Sequence, residues 1–463
     1  MTTDVFFDAD LMRRYDREGP RYTSYPTAMQ FSESVDLNTY AAAAAGSPGA
    51  LGGAPLSVYV HIPFCRSPCF YCGCNKIITR QMDRADAYLA RLEMEIALRG
   101  SHFDRAREVE QLHFGGGTPT FLPAERLRSL CETIGRHFRL TDSPARDYSI
   151  EIDPRTIDPA GLETLAAIGF NRLSLGVQDY DPAVQKAINR FQPVDMVTRL
   201  VEAARRYGFG SLNFDLIYGL PLQTPSTFAA TLETVIGQRP DRLAVYGYAH
   251  MPQMFKAQQR IDAENLPDAA TRLALLKMAI DRLTAAGYVY IGMDHFALPT
   301  DGLARARANG TMHRSFQGYT THASRDLVSL GISAIGQVGN LYMQNHKTMQ
   351  FYAERLDQGR LPLHRGVVMS DDDVLRRDVI QQIMCHNTVD MRSTEGRFGI
   401  DFGEYFAAEL SRLETLEADG LVARGVGRID LTPRGRLLMR NVAMVFDAYK
   451  NAGAAAPRLS RVI

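Results

Sequence analysis

From residue 56 to residue 292 the chain alternates short apolar runs with amphipathic stretches, the pattern of strands followed by helices. The runs at 56–62, 109–114, 148–152, 172–177, 212–217, 243–248 and 289–292 are rich in Val, Ile, Leu and Tyr, and each is too short for a buried helix. Between them, 85–98, 124–138, 196–207 and 270–286 repeat apolar residues at three- and four-residue spacing, which predicts helices with one buried face. Such alternation predicts βα units around a parallel sheet. The alanine- and glycine-rich stretch 40–54 reads as an irregular connection. Beyond about residue 361 the pattern changes to helices at 371–384 and 402–416 and then a hairpin at 419–424 and 428–433, an order resembling a winged-helix module. Three parts are expected: an N-terminal extension (1–54), a barrel with trailing strands (55–360) and a mostly helical C-terminal cap (361–463), with residues 21–27 reaching the same mouth as the cap.

Charge narrows the classes of function. Lysine plus arginine equals aspartate plus glutamate at 52 each, so the overall balance suggests neither nucleic acid nor an anionic membrane surface as partner. The helix before the hairpin is acidic (Glu414, Glu417, Asp419), which argues against a DNA-reading role for the winged-helix-like unit. No run of about 18 apolar residues is present, and residues 1–14 lack the apolar core of a secretory signal. A cytoplasmic, monomeric enzyme is expected.

Four of the 6 cysteines crowd into one loop, Cys65, Cys69, Cys72 and Cys74, with the spacing Cys-x3-Cys-x2-Cys-x-Cys. Thiols so close on a tight loop make poor disulfides, and oxidised scaffolds are short and secreted. Zinc usually gathers two separate knuckles, whereas Cys131 and Cys385 stand alone. An iron–sulfur cluster suits soft thiolates on a loop, and three ligands would leave a fourth iron open to chemistry.

That loop, with the aromatic Tyr71 before its third cysteine, resembles the signature of the radical S-adenosylmethionine enzymes. The finer match spans nearly the whole chain and resembles the family of oxygen-independent coproporphyrinogen III oxidases. It rests on residues 21–27 (Arg-Tyr-Thr-Ser-Tyr-Pro-Thr), on Cys74 followed by Asn75 and Lys76, and on residues 316–320 (Phe-Gln-Gly-Tyr-Thr). The resemblance implies an α/β fold, an open partial (β/α)6 TIM-like barrel of the radical S-adenosylmethionine type. It also implies a [4Fe–4S] cluster held by Cys65, Cys69 and Cys72, one or two molecules of S-adenosylmethionine, coproporphyrinogen III as substrate and an electron-donor protein. The implied activity is oxidative decarboxylation of two propionates to vinyl groups.

Candidate binding residues lie just past the strand ends, where βα barrels work. The run His113 to Pro119 holds three consecutive glycines, which let a backbone approach a ligand or make a tight turn. Asp153 precedes a proline and reads as a turn or cap residue. Asp215 sits in so apolar a run that it needs a hydrogen bond, an arginine or a ligand. His61 reads as structural. By resemblance, Gly116, Gly117 and Thr118 hold the cofactor's methionyl end, with Tyr59, Glu151 and Ile335 around the same molecule. Tyr71, Gln178, Arg190, Asp215 and Ala249 line the space of a second cofactor molecule or of the substrate. Cys74, Phe316 and Gln317 are candidates for substrate positioning or electron transfer, and Arg21 for pairing with a substrate carboxylate. Two alternatives are a haem-trafficking protein on the same fold and a cluster-based redox sensor. Cys74 and residues 316–320 argue against the first, and a nucleoside pocket against the second.

Overall fold

The computed structural model describes residues 5–47, 53–323 and 325–451. They form two compact units, each discontinuous in sequence: residues 31–271 with 324–368, and residues 1–30 with 272–323 and 369–463.

The first unit is built on six parallel strands in sequence order: β1 (Leu56–Ile62), β2 (Glu108–Gly116), β3 (Asp147–Ile152), β4 (Arg172–Gln178), β5 (Ser211–Tyr218) and β6 (Arg242–Gly247). Their apolar runs are covered on both faces, as parallel strands require: Val58, Val60, Phe114, Leu212 and Phe214 have no exposed surface. Helices α1 (Met82–Gly100), α2 (Ala124–His137), α3 (Pro159–Ile168), α4 (Val194–Arg206) and α5 (Pro225–Gln238) fill the crossovers. On α2 the buried Leu127, Leu130, Cys131 and Ile134 follow the expected spacing, so Cys131 is a core residue. On the other side of β1 the sheet continues through β7 (Asp326–Leu330), parallel to it, and then antiparallel through β8 (Ile335–Val338), β9 (Leu341–Asn345) and β10 (Leu363–Val368). A buried network ties these trailing strands to α1. Glu95 pairs with Arg99 at 2.8 Å and accepts from the Tyr352 hydroxyl at 2.7 Å, and Arg99 donates to Asn345 at 2.7 Å.

The second unit has its own core, in which Tyr22 and Tyr25 of the N-terminal segment meet Leu375, Val379, Phe402, Phe406 and Phe446. Arg440 and Asn441 donate to the carbonyls of Pro20 and Tyr15 at 2.9 Å each, and the Tyr22 hydroxyl donates to Asp447 at 2.9 Å. A three-stranded sheet orders Thr388–Asp390, Arg428–Leu431 and Val422–Gly425, one strand more than the expected hairpin.

Several sequence expectations are corrected. Residues 40–46 are not irregular: they lie in the helix Leu37–Gly46, capped by Asp36, which accepts from Thr39 N–H at 2.8 Å. A cap ahead of five alanines is a helix start, and the flanking glycines hid it; residues 48–52 of that stretch lie outside the described residues. The run 402–416 breaks at Phe406 into Phe402–Tyr405 and Ala407–Ala418. Val289–Gly292 does not extend the parallel order but pairs antiparallel with His295–Ala297. The compact units also differ from the expected parts 1–54, 55–360 and 361–463, because residues 272–323 group with the second unit and residues 325–368 with the first. A helix plus a short strand in that excursion mimics one more βα repeat, so periodicity alone cannot reveal the departure. Among the described residues no helix is long and apolar enough to cross a membrane.

Candidate active site

The cysteine loop leaves the C-terminal end of β1 and is held at both sides. Phe64–Cys65 runs parallel to Ile77–Ile78, with Ile77 N–H on the Pro63 carbonyl at 2.7 Å and Thr79 N–H on the Cys65 carbonyl at 3.0 Å. Farther along, Phe70 N–H reaches the Ile188 carbonyl at 3.0 Å, Asn189 donates to the Pro68 carbonyl at 2.7 Å, and the Lys76 ammonium donates to the Cys72 carbonyl at 3.1 Å. All four thiols are free; Cys69 is buried, Cys65 and Cys72 are half-buried, and Cys74 is exposed.

Their surroundings differ. Cys69 Sγ takes contacts from two guanidinium groups, Arg190 at 3.4 Å and Arg155 at 3.6 Å. The Cys72 thiol is pulled well below its ordinary range by the hydrogen bond from the Cys74 thiol, with Lys76 adding to the effect. Cys74 is pushed up correspondingly. Burial raises Cys65 to about 11, although its Sγ lies 3.4 Å from the Thr118 hydroxyl. The loop thus carries cations where thiolates are needed as ligands.

The glycines after β2 do something more specific than leave room for a ligand. A Cβ on Gly115 would lie 2.8 Å from Glu151 Oε1, one on Gly116 2.6 Å from the His61 ring, and one on Gly117 2.7 Å from the Pro63 backbone carbon. Gly116 also has φ +113°, which disfavours any side chain. The bare backbone lets the strand end lie against the start of the cysteine loop, with Gly117 N–H on the Ile62 carbonyl at 2.8 Å and Thr118 N–H on the Phe64 carbonyl at 2.9 Å. Glu151 on β3 accepts from Gly116 N–H at 3.1 Å and faces His113 Nε2 at 3.3 Å, while His113 Nδ1 meets the Ser149 hydroxyl at 2.7 Å. These contacts outweigh burial and hold the Glu151 carboxyl below its ordinary range.

Strands β4 and β5 supply the far wall. A bulge between Gly176 and Gln178 and a left-handed Gln178 (φ 66°) re-aim that side chain at the strand end, a strained feature of the kind found at working sites. Arg190 spans the region, donating to the Gly176 carbonyl at 2.7 Å and pairing with Asp153 at 3.1 Å. Asp153 does turn the chain, accepting Thr156 N–H on its carbonyl at 2.9 Å, but it is also the shared carboxylate of Arg155 and Arg190. Among the described residues no arginine forms an ion pair with Asp215, although Arg190 is near enough to favour its charge. Asn213 donates to Asp215 at 3.0 Å and Ser174 at 3.2 Å, and burial with Glu151 nearby pushes its carboxyl up to about 6.

One cavity of about 440 Å³ collects these groups. It is lined by Cys65, Cys69, Cys72 and Cys74, by Gly116, Gly117, Thr118 and Glu151, and by Tyr71, Gln178, Arg190 and Asp215. Tyr59, Ala249 and Ile335 are not among the lining residues. Tyr59 stacks on His113 with ring centroids 5.8 Å apart and reaches His61 Nδ1 at 3.1 Å; His61 in turn meets the Asn75 carbonyl at 3.1 Å. Ala249 shares the Gln258 amide with Tyr71, and Ile335 lies on β8 opposite Gln344. Phe316 and Gln317 belong to the second unit, in the turn between His313–Ser315 and Gly318–Thr320, where the Gln317 amide is buried without a partner. In that unit Arg21 is already paired with Asp294. Lys76, Asp153, Arg155, Ser174 and Tyr246 also line the cavity; none was assigned to the site from sequence, where Asp153 reads as a turn or cap residue and Lys76 only as part of the family motif. Position gave a signal for two of them: Arg155 stands two residues after Asp153, and Lys76 four after Cys72.

Asp215 yields a pH-dependent prediction. Its folded value of about 6 lies above the ordinary 3.8, so its charge costs stability above pH 6 and nothing below about 3.8. Asp215→Asn is expected to raise the urea midpoint of metal-free protein at pH 7.5 by the equivalent of about 1–3 kcal/mol, a gain that shrinks toward pH 4.5. Equal midpoints at pH 7.5 would contradict it.

The Radical SAM superfamily model matches residues 59–235, and the HemN C-terminal domain model matches residues 369–438. An oxygen-independent coproporphyrinogen III oxidase of Pseudomonas aeruginosa is 50% identical over 463 residues, covering 100% of both chains. Its counterpart in Escherichia coli is 45% identical over 99% of each. A solved structure of the Escherichia coli protein, described as coproporphyrinogen III oxidase (HemN) and a radical SAM enzyme, superposes with a TM-score of 0.91 over 96% of this chain and 100% of that one.

Proposed function

The chain belongs to the oxygen-independent coproporphyrinogen III oxidases of the radical S-adenosylmethionine superfamily, and from that membership we propose how its own residues serve the reaction. The enzyme converts two propionate side chains of coproporphyrinogen III to vinyl groups with loss of carbon dioxide, giving protoporphyrinogen IX. The observation that carries this reading is the gathering of Cys65, Cys69 and Cys72 with Glu151, Gln178 and Asp215 around one cavity at the ends of parallel strands.

The residues fit the groups the family uses. Three free thiols on one loop suit a [4Fe–4S] cluster with one open iron, and a cavity carrying both signs of charge suits S-adenosylmethionine, which has a carboxylate, an amine and a sulfonium. Cluster and cofactor together supply a reducing electron and a carbon radical able to remove a hydrogen atom. Cys65, Cys69 and Cys72 would hold the cluster. Gly116, Gly117 and Thr118 would present backbone and hydroxyl to the methionyl end, and Glu151, kept ionised by His113 and the Gly116 amide, would accept from ribose hydroxyls. Tyr59 supports Glu151 through His113. Tyr71, Gln178, Arg190 and Asp215 would bound the space for a second cofactor molecule or a substrate arm, and Ala249 there and Ile335 at the first cofactor are assigned by family likeness alone. Because the hydrogen leaves as an atom, no general base is required, so Cys74, Phe316 and Gln317 are proposed as positioning residues. The free thiols favour a reducing cytoplasm as the working compartment, with a separate protein delivering the electron.

The test is anaerobic reconstitution with iron and sulfide, followed by dithionite, S-adenosylmethionine and coproporphyrinogen III, with products read by mass. Protoporphyrinogen IX and 5'-deoxyadenosine should appear together. Cofactor cleavage without a porphyrinogen product would overturn the substrate, and zinc in place of iron would overturn the whole reading.

A further inference from the structure

We propose that the ribbon edge beside the cysteine loop is the docking face for an acidic, one-electron carrier protein; the inference rests on the function proposed above. Cys65 is the direct parallel partner of Ile78, and Thr79 N–H closes on the Cys65 carbonyl at 3.0 Å. Ile78 is nevertheless 40% exposed. The molecular surface therefore comes within one strand spacing, about 4.8 Å, of a ligand cysteine's backbone. On the other side of the loop, Asn75 donates to the Lys347 carbonyl at 3.1 Å, which brings the turn after β9 up to Cys74.

This edge is cationic although the chain as a whole has zero net charge. Arg80 and Lys347 are exposed and Lys76 and Arg365 half-exposed, and among the described residues none of the four forms an ion pair. The nearest carboxylate along the chain, Asp83, is followed at once by Arg84. An exposed isoleucine with the exposed Arg80 two residues on, and the exposed Lys347 in the turn that Asn75 reaches, suits a small, transient interface with a carboxylate-rich partner, in which charge steers the encounter and fixes the register. One electron leaves the reduced carrier and enters the metal group held by Cys65, Cys69 and Cys72. The carrier is oxidised by one electron, and no proton or bond is exchanged.

The test uses iron-loaded, full-length protein and a reduced acidic flavodoxin as carrier, with affinity measured by titration calorimetry at low and high ionic strength. Arg80→Glu combined with Lys347→Glu should weaken binding at least about tenfold at low salt and flatten its salt dependence. Iron content and dithionite-driven product formation should stay at wild-type levels. Arg128→Glu, exposed on α2, should change neither property. Unchanged affinity in the double variant, an equal loss in Arg128→Glu, or no binding of carrier to wild type would each overturn the docking face. A wild type inactive with dithionite would instead overturn the proposed function, since that assay needs no carrier.

Discussion

Replacing Cys69 by alanine should leave a protein that folds, binds little iron under reconstitution and makes no protoporphyrinogen. Cys69 is the buried member of the loop, and its sulfur is the one that two guanidinium groups approach, Arg190 at 3.4 Å and Arg155 at 3.6 Å. Those cations favour the thiolate, the form that binds iron. They do not depend on it for charge balance, because Asp153 pairs with both. Alanine therefore removes a ligand without stranding a buried charge, so the fold should survive. Loss of an outer-shell partner commonly costs 10–100-fold in metal affinity, so loss of a direct ligand should exceed about a hundredfold. Iron and sulfide analysis with visible absorbance would measure this. Cys131→Ala, a core change on α2, should keep full iron loading. Iron content near wild type in Cys69→Ala would remove Cys69 from the ligand set.

The loop was legible because its chemistry is carried by residue type and spacing along one short segment. The strands were legible for a related reason: burial on both faces demands continuous apolar runs, and β1 through β6 have them. Contacts between segments distant in sequence were not. Nothing near Asp153 announces Arg190, 37 residues away, so a carboxylate before a proline reads as a turn until the fold supplies its second partner. The same holds for Glu151. Its position at a strand end was visible, but the His113 and Gly116 contacts that keep it ionised depend on β2 and β3 being neighbours in register. Arg21 shows the opposite failure, where a free-looking cation in an unusual motif turns out to be paired with Asp294. The excursion of residues 272–323 was hidden because a helix and a short strand carry the same local pattern in either unit.

The glycine run shows why position mattered more than flexibility, and it gives the second large effect. Gly117→Ala is expected to impair cluster loading although residue 117 bears no ligand atom. An alanine Cβ there would sit 2.7 Å from the Pro63 backbone carbon and 2.8 Å from its carbonyl oxygen, with the Phe64 carbonyl at 3.0 Å. Side chains can rotate away from such an overlap, but a backbone cannot. The strand end and the start of the cysteine loop must then separate, breaking the bonds of Gly117 N–H to Ile62 and of Thr118 N–H to Phe64. Overpacking of this kind costs about 1–3 kcal/mol, a size that a protein of this length tolerates while remaining folded. The damage falls on geometry: Cys65 stands next to Phe64, and its sulfur lies 3.4 Å from the Thr118 hydroxyl. A shift of even 1 Å there moves one thiolate out of reach of the other two. Gly208→Ala is the control for destabilisation without a clash, since Gly208 has φ +80°, which strains any side chain, but nothing lies within 4 Å of its Cβ position. Both variants should lose some stability by urea titration, while only Gly117→Ala should lose iron and cofactor cleavage. Equal iron content in the two would mean that the glycine serves the fold alone.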